Sequence, residues 1–373
     1  MSGGGDAQQS FSGTRPVAEA HAFDVGRLTE WMRAQVEGFG GDVKVAQFNG
    51  GQSNPTFLLE AGGQRYVLRR KPPGVLLPSA HAVEREYRVI RGLAGTDVPV
   101  ARAFALCEDA AVIGSPFYVM DYVEGRIFWD ASLPDQTSAE RAALYDEMNR
   151  VMAALHSVDP VAVGLGDYGR SGNYIERQVA RWTSQYRAAE TERIEAADRL
   201  IEWLPQHMPV CDGTRIVHGD YRLDNVIFDP REPRILAVID WELSTLGDPL
   251  VDFAYHCMAW HMVHEQGRGL GGLDLAALGI PEEKAYLQRY LDRVQGPAHR
   301  TVSDADWGYY IVFNMFRLVG ILQGVMARAL QGNASSARAL EMGRRTRPLA
   351  EQAWELAQRV DTLRNAAGAA NRH

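Results

Sequence analysis

The sequence is poor in cysteine, lysine and uninterrupted apolar runs, and each shortage removes a class of protein. Cys107, Cys211 and Cys257 are odd in number, far apart and without a C-x-x-C partner, so free thiols in a reduced cytoplasmic setting are expected. No basic start followed by an apolar run opens the chain, so no export signal is expected. The most membrane-like stretch, 309–327, is interrupted by Asn314, Arg317 and Gln323 and reads as a buried helix, so no membrane partner is expected. Charge is spread without long runs, 39 basic against 47 acidic residues for a net charge of −8, which lacks the footprint of a nucleic-acid binder. G-x-x-x-x-G-K-[ST] does not occur, and G-x-G-x-x-G occurs only at 164–169 (G-L-G-D-Y-G) and 267–272 (G-R-G-L-G-G), neither of which follows an expected strand, so neither reads as a dinucleotide loop.

Lysine is nearly absent: of the 39 basic residues only Lys44, Lys71 and Lys284 are lysines, so an arginine is a candidate wherever a lysine is the usual cation. What remains is ordinary globular material, 46% hydrophobic and 23% charged over 373 residues, enough for two domains or two lobes sharing one site.

Up to about residue 20 the composition of Gly, Ser and Gln predicts a flexible tail. Asp24 then reads as an N-cap ahead of Leu28, Trp31, Met32 and Val36 at helical spacing. Short extended runs follow at 43–48, 56–60 and 65–70, joined by N-G-G-Q-S-N-P and A-G-G-Q, which are hairpin turn chemistries. A helix with Val83, Tyr87, Ile90 and Leu93 on one face comes next, then strands at 101–106 and 117–122. Beyond them helices dominate apart from short strands at 226–228 and 235–239. The order predicts an α+β chain: a small β-rich N-terminal lobe over 21–121 and a larger helical lobe over 122–365.

The chemistry is concentrated in I-V-H-G-D-Y-R-L-D-N-V-I-F-D and, one hairpin later, I-L-A-V-I-D-W-E. Asp220, Asn225 and Asp240 recur in the order of a kinase catalytic loop, H-x-D-x-x-x-x-N, followed by a metal-binding Asp at the next strand end. Phosphoryl transfer needs a carboxylate beside the attacking hydroxyl and oxygen ligands for magnesium, and a tight loop supplies both. One Asp or Asn would read as a surface turn; three in order, bracketed by strands, do not.

The middle of that loop is H-G-D, and the later block reads G-D-P-L-V-D-F-A. With these residues the chain, from about Phe48 to Ala254, resembles the aminoglycoside phosphotransferase and choline kinase family. The resemblance implies a bilobal protein-kinase-like fold, ATP and Mg2+ as cofactors, and a small-molecule alcohol as acceptor. It also implies roles for particular residues. Asp220 matches the catalytic base, Asn225 and Asp240 match the metal ligands, and His218 a loop-supporting histidine. Asp248 and Asp252 match an acidic pair that holds the catalytic loop.

In the N-terminal lobe, backbone N–H groups of Gly51, Gln52, Ser53 and Asn54 match a phosphate-facing turn. Aligning Y-V-L-R with V-A-I-K puts Arg69 in place of the usual lysine; strand alternation turns Arg70 to the other face, and Lys71 is the alternative cation. Glu86 is the expected partner of Arg69, with Glu84 the other acid and a solvated E-R-E face the plain structural alternative. Met120, with the backbone of Asp121 to Val123, matches the hinge that borders adenine. Arg222, two residues after Asp220, reads equally as a cation for the transferring phosphoryl group or as a partner of Asp224.

His256, His261 and His264 lack an acidic cluster and are expected to be core or pocket lining rather than zinc ligands. For the acceptor, Arg177 and Arg181 sit one helical turn apart with Arg170 upstream, a stripe that suits an anionic acceptor or else a surface helix balanced by Glu176 and Glu190. The segments Y-V-L-R-R-K-P-P-G, H-G-D-Y-R-L-D-N and N-Y-I-E-R-Q-V-A-R-W resemble the phosphotransferase domains associated with acyl-CoA dehydrogenases, which implies a hydroxyacyl-CoA acceptor.

Overall fold

The computed structural model describes residues 13–49, 54–72, 82–170, 172–210, 213–264, 268–296, 299–332 and 339–370. Its strands are β1 (Thr14–Arg15), β2 (Lys44–Phe48), β3 (Thr56–Ala61), β4 (Gln64–Arg70), β5 (Ala103–Cys107), β6 (Phe117–Asp121), β7 (Arg215–Val217), β8 (Val226–Phe228), β9 (Ile235–Val238) and β10 (Thr245–Gly247). Its helices are α1 (Val25–Gln35), α2 (Val83–Leu93), α3 (Ala110–Ile113), α4 (Ser138–Ser157), α5 (Tyr174–Ala188) and α6 (Glu195–Gln206). They continue as α7 (Pro249–Cys257), α8 (Leu275–Leu278), α9 (Glu283–Arg293), α10 (Asp304–Leu330), α11 (Ala339–Arg344) and α12 (Thr346–Ala370).

The chain divides into two compact units: Met1–Tyr168 with His218–Thr245 and Ala259–Val294, and Gly169–Val217 with Leu246–Met258 and Gln295–His373. The first carries a six-stranded sheet in the order β1-β2-β3-β4-β6-β5. Residues 1–12 of the tail lie outside the described residues, while Thr14 and Arg15 pair with Phe48 and Gln47 on the sheet edge. The β3–β4 hairpin closes through Gly62 and Gly63, with φ of 57° and 77°, the left-handed pair that a two-residue turn between right-twisted strands requires.

β4 has helices on both sides. Leu28, Met32, Phe57, Leu59, Tyr66, Leu68 and Phe117 form one buried cluster that brings α1 onto one face of the sheet. α1 starts where the sequence placed it, with the Asp24 side chain accepting from Arg27 N–H at 3.0 Å. Strand alternation therefore sends Arg69 to the opposite face, toward α2. The β8–β9 hairpin joins this unit through Val238 N–H to Pro99 O at 2.9 Å and a paired bridge between Arg126 and Phe228. Residues 218–245 thus fall in the same compact unit as the sheet, with no division at residue 121.

In the second unit α10 is long and apolar enough to cross a bilayer, but two thirds of its most apolar stretch is buried, 67%, where it packs with α5, α6, α7, α11 and α12. Its three polar interruptions are used inside the fold. Asn314 Nδ2 donates to Val251 O at 2.9 Å, Gln323 Nε2 to Thr191 Oγ1 at 2.8 Å, and Arg317 lies over the rings of Tyr255 and Trp182. Cys107 and Cys257 are buried free thiols.

Candidate active site

The site in the first unit is organised around Arg69. Its Nε is 2.8 Å from Glu86 Oε2, and its Nη2 is 2.5 Å from Asp240 Oδ1 and 3.4 Å from Glu242 Oε2. One planar guanidinium thus joins β4, helix α2 and the turn after β9, a bridge that a lysine point charge would not span with the same fork. Burial opposes the charge on Arg69, but Glu86 and Asp240 outweigh it and raise its pKa above the ordinary value. Glu86 is only 1% exposed, and burial pushes its carboxyl up against the pull of Arg69.

Two further side chains hold Glu86. Asn54 Nδ2 donates to Oε1 at 2.7 Å, and the Tyr118 hydroxyl donates to Oε2 at 3.2 Å. Tyr118 is the cross-strand partner of Arg69, and its hydroxyl pKa is pushed well up by burial and then by the Glu86 charge. Asn54 therefore enters the site through a buried side chain rather than through the phosphate-facing backbone that the sequence pointed to. Gly51, Gln52 and Ser53 lie outside the described residues.

The other two cations are elsewhere. Arg70, 2% exposed, lies over Phe23 and Phe57 on the α1 side, and burial lowers its pKa. Lys71 Nζ is 2.9 Å from Glu84 Oε2. The E-R-E run of α2 is thus no solvated face: Glu84 holds Lys71 and Glu86 holds Arg69.

The catalytic loop is built on His218. Its Nδ1 accepts the Asp220 N–H at 3.2 Å and its Nε2 faces Ile239 O at 2.9 Å, so the proton belongs on Nε2 and the ring ties the loop to the end of β9. Gly219 follows with φ of 84°, and a Cβ there would stand 2.8 Å from Leu243 O, which is why the loop reads H-G-D. Asn225 Nδ2 donates to Asp220 O at 2.8 Å and Oδ2 at 3.0 Å. Arg222 lies against both of its candidate partners, with Nε 3.0 Å from Asp220 Oδ1 and Nη2 3.3 Å from Asp224 Oδ2. Asp240 has φ of 65°, a left-handed conformation that Asp tolerates better than most residues.

These oxygens suit a hard divalent cation. With its Nδ2 committed to Asp220, Asn225 has Oδ1 available, and Asp240 Oδ2 makes no hydrogen bond among the described residues. No cluster of three or more His, Cys, Asp or Glu that could hold a metal occurs among the described residues.

At the hinge, Asp121 N–H is committed to Arg102 O at 2.9 Å, so Asp121 has its carbonyl rather than its N–H to offer a base edge. Burial raises the pKa of its side chain. Met120 and Val123 are half-buried beside it.

The second unit holds Asp248, Arg177 and Arg181. Asp248, fully buried, caps α7 and is bound by Arg300 Nη2 at 2.7 Å and by the Tyr310 hydroxyl at 2.9 Å. Neither Arg177 nor Arg181 pairs with Glu176 or Glu190. Arg177 donates to the carbonyls of Gly172 and Arg170, closing the loop ahead of α5, while Arg181 lies over Trp182 and Glu190 takes Arg187. The histidines are held by protein groups: His261 by Glu283 at 2.8 Å and His264 by Gly269 O at 2.7 Å, in the first unit. Sequence reading missed Tyr118, Asn54's side chain and Glu242; the signals were the register opposite Arg69 and the I-D-W-E spacing.

Residues 44–299 match the family model described as the phosphotransferase enzyme family. A crystal structure from Ralstonia eutropha, provisionally named an aminoglycoside phosphotransferase, is 57% identical with a TM-score of 0.83, covering 91% of this chain and 99% of that one. Spectinomycin phosphotransferase, solved with ADP and spectinomycin, has a TM-score of 0.58 at 14% identity, covering 90% and 99%, a likeness of fold alone. Mouse acyl-CoA dehydrogenase family member 10 is 45% identical over 347 residues, 92% of this chain and 32% of that protein. Human acyl-CoA dehydrogenase family member 11 is 38% identical over 349 residues, 92% and 44%. The chain spans less than half the length of these two relatives.

Proposed function

The chain belongs to the phosphotransferase enzyme family and has its protein-kinase-like α+β fold, and we propose that it is an ATP- and Mg2+-dependent kinase of a small-molecule alcohol. The observation that carries this reading is the Arg69 bridge from Glu86 to Asp240, in the same unit as Asp220 and Asn225. When bound, the metal and nucleotide supply the phosphoryl group and neutralise its charge. Asp220 orients the acceptor hydroxyl and takes its proton on a carboxylate oxygen. Asn225 and Arg222 hold that carboxylate in place, and Arg222 adds positive charge beside the reacting oxygens. Asn225 and Asp240 are the residues that would hold the metal, and Arg69 the nucleotide phosphates.

For the acceptor we propose a hydroxyacyl-CoA. Its support is the likeness to proteins named for acyl-CoA dehydrogenases. A mass-detected screen of hydroxyacyl-CoAs, amino alcohols and aminoglycosides tests it: phosphate should appear on the CoA thioester hydroxyl, and phosphate appearing only on aminoglycosides would overturn that choice.

A second reading, a nucleotide-binding protein without transfer, draws on the 2.5 Å contact that commits one oxygen of Asp240 to Arg69. It predicts stabilisation by ATP and Mg2+ with no turnover of any acceptor.

A further inference from the structure

Helix α2 is anchored a second time, next to Glu86, by residues outside every motif that marks the site. Arg85 Nη2 donates to Tyr168 O at 2.7 Å, and its guanidinium stacks on the Tyr168 ring at 4.2 Å. The Tyr168 hydroxyl lies 2.7 Å from Ser244 Oγ and 3.1 Å from Arg85 O. Ser244 Oγ in turn donates to Trp241 O at 2.5 Å, and Ser244 N–H donates to the same carbonyl at 3.0 Å.

Proton counting gives this chain a direction. Each hydroxyl has one hydrogen. That of Ser244 goes to Trp241 O, so the Tyr168 hydrogen goes to Ser244 Oγ, shared with Arg85 O. Tyr168 and Ser244 are 1% and 3% exposed, so water does not substitute for either bond. The receiving carbonyl belongs to the residue after Asp240, in the short helical turn Trp241–Leu243 that begins at the left-handed Asp240. Gly219 closes the same turn from the other side by its approach to Leu243 O.

We propose that Tyr168 is a positioning residue that couples helix α2 to the turn aiming Asp240, so that the Arg69–Glu86 pair and the metal-binding carboxylate are set together. This rests on the phosphotransferase reading and adds to it a residue that touches neither nucleotide nor metal. If the coupling operates, loss of the Tyr168 hydroxyl weakens metal-assisted nucleotide binding by a larger factor than metal-free binding, because only the former uses Asp240 as well as Arg69. A purely structural Tyr168 would lower both by the same factor or neither.

The test is calorimetric titration of ATP into the full chain, with Mg2+ and with EDTA, for the wild type, Tyr168→Phe, Ser244→Ala and the double variant. Thermal denaturation alongside reports folding. Tyr168→Phe keeps the ring on Arg85 and should reduce the Mg2+-dependent gain in affinity about fivefold, the worth of one buried hydrogen bond. Ser244→Ala should do the same from the other end, and the double variant should lose little more than either single one, since both break one chain. An unchanged Mg2+-dependent gain in Tyr168→Phe and Ser244→Ala overturns the proposal alone. A wild type that binds ATP no better with Mg2+ than without overturns the phosphotransferase reading and the proposal with it.

Discussion

The three consecutive cations of β4 occupy three different environments, and substitution should separate them. Arg69→Ala leaves Glu86 buried without its cation, which costs on the order of 3–5 kcal/mol of stability and removes the nucleotide contact. Arg70 has no carboxylate partner among the described residues; it rests on aromatic rings and donates to Ile113 O at 3.3 Å, so Arg70→Met should cost about 1 kcal/mol, the worth of one hydrogen bond, and leave nucleotide binding unchanged. Thermal melts with and without ATP check both, and equal losses of ATP stabilisation would contradict the assignment of the nucleotide contact to Arg69 alone. Register was legible because the resemblance aligned Y-V-L-R with V-A-I-K, which put Arg69 in the lysine's place, and strand alternation turned Arg70 to the other face. The partners that satisfy Glu86 were less legible: Asn54 and Tyr118 are brought there by sheet pairing, which no local pattern announces.

At the scale of elements, the turn from Asp240 to Ser244 is the feature on which the site depends, and Gly219 lies so close that a Cβ there would stand 2.8 Å from Leu243 O. Gly219→Ala adds a left-handed strain and a Cβ against the Leu243 carbonyl, and should cost about 1–3 kcal/mol in a denaturant titration. A neutral result would mean that the loop and the turn are not packed as described. The H-G-D sequence signalled the loop, but the reason for its glycine becomes visible only when the turn is placed over it. Helix α5 gives a contrasting case. Its arginines formed one stripe in the sequence, yet Arg177 is consumed by loop carbonyls, which leaves Arg181, over the Trp182 ring, as the cation of that stripe without a carboxylate partner among the described residues. Arg181→Gln should raise the Michaelis constant for a CoA thioester about fivefold, less at high salt, with that for ATP unchanged. No change at low salt would remove this helix from acceptor recognition.

For the molecule as a whole, stability against acid should depend on the second unit. His256 is buried on α7, and burial lowers its pKa to about 4, against the pull of Asp252. A histidine kept neutral in the fold but protonated near its ordinary pKa when unfolded stabilises the fold above about pH 6.5, and that contribution is lost as pH falls toward 4. The loss is about 3 kcal/mol, so unfolding free energy should decline across this window and His256→Gln should flatten the decline. An equal slope in the variant would assign the acid sensitivity to other groups. The central claim, that Asp220 is the base of a phosphotransferase, is tested most directly by comparing Asp220→Ala with the wild type in two measurements on one preparation. The account predicts that Mg2+–ATP affinity changes little while phosphoryl transfer to the acceptor falls by about 10²–10⁴; transfer at the wild-type rate in Asp220→Ala would contradict it.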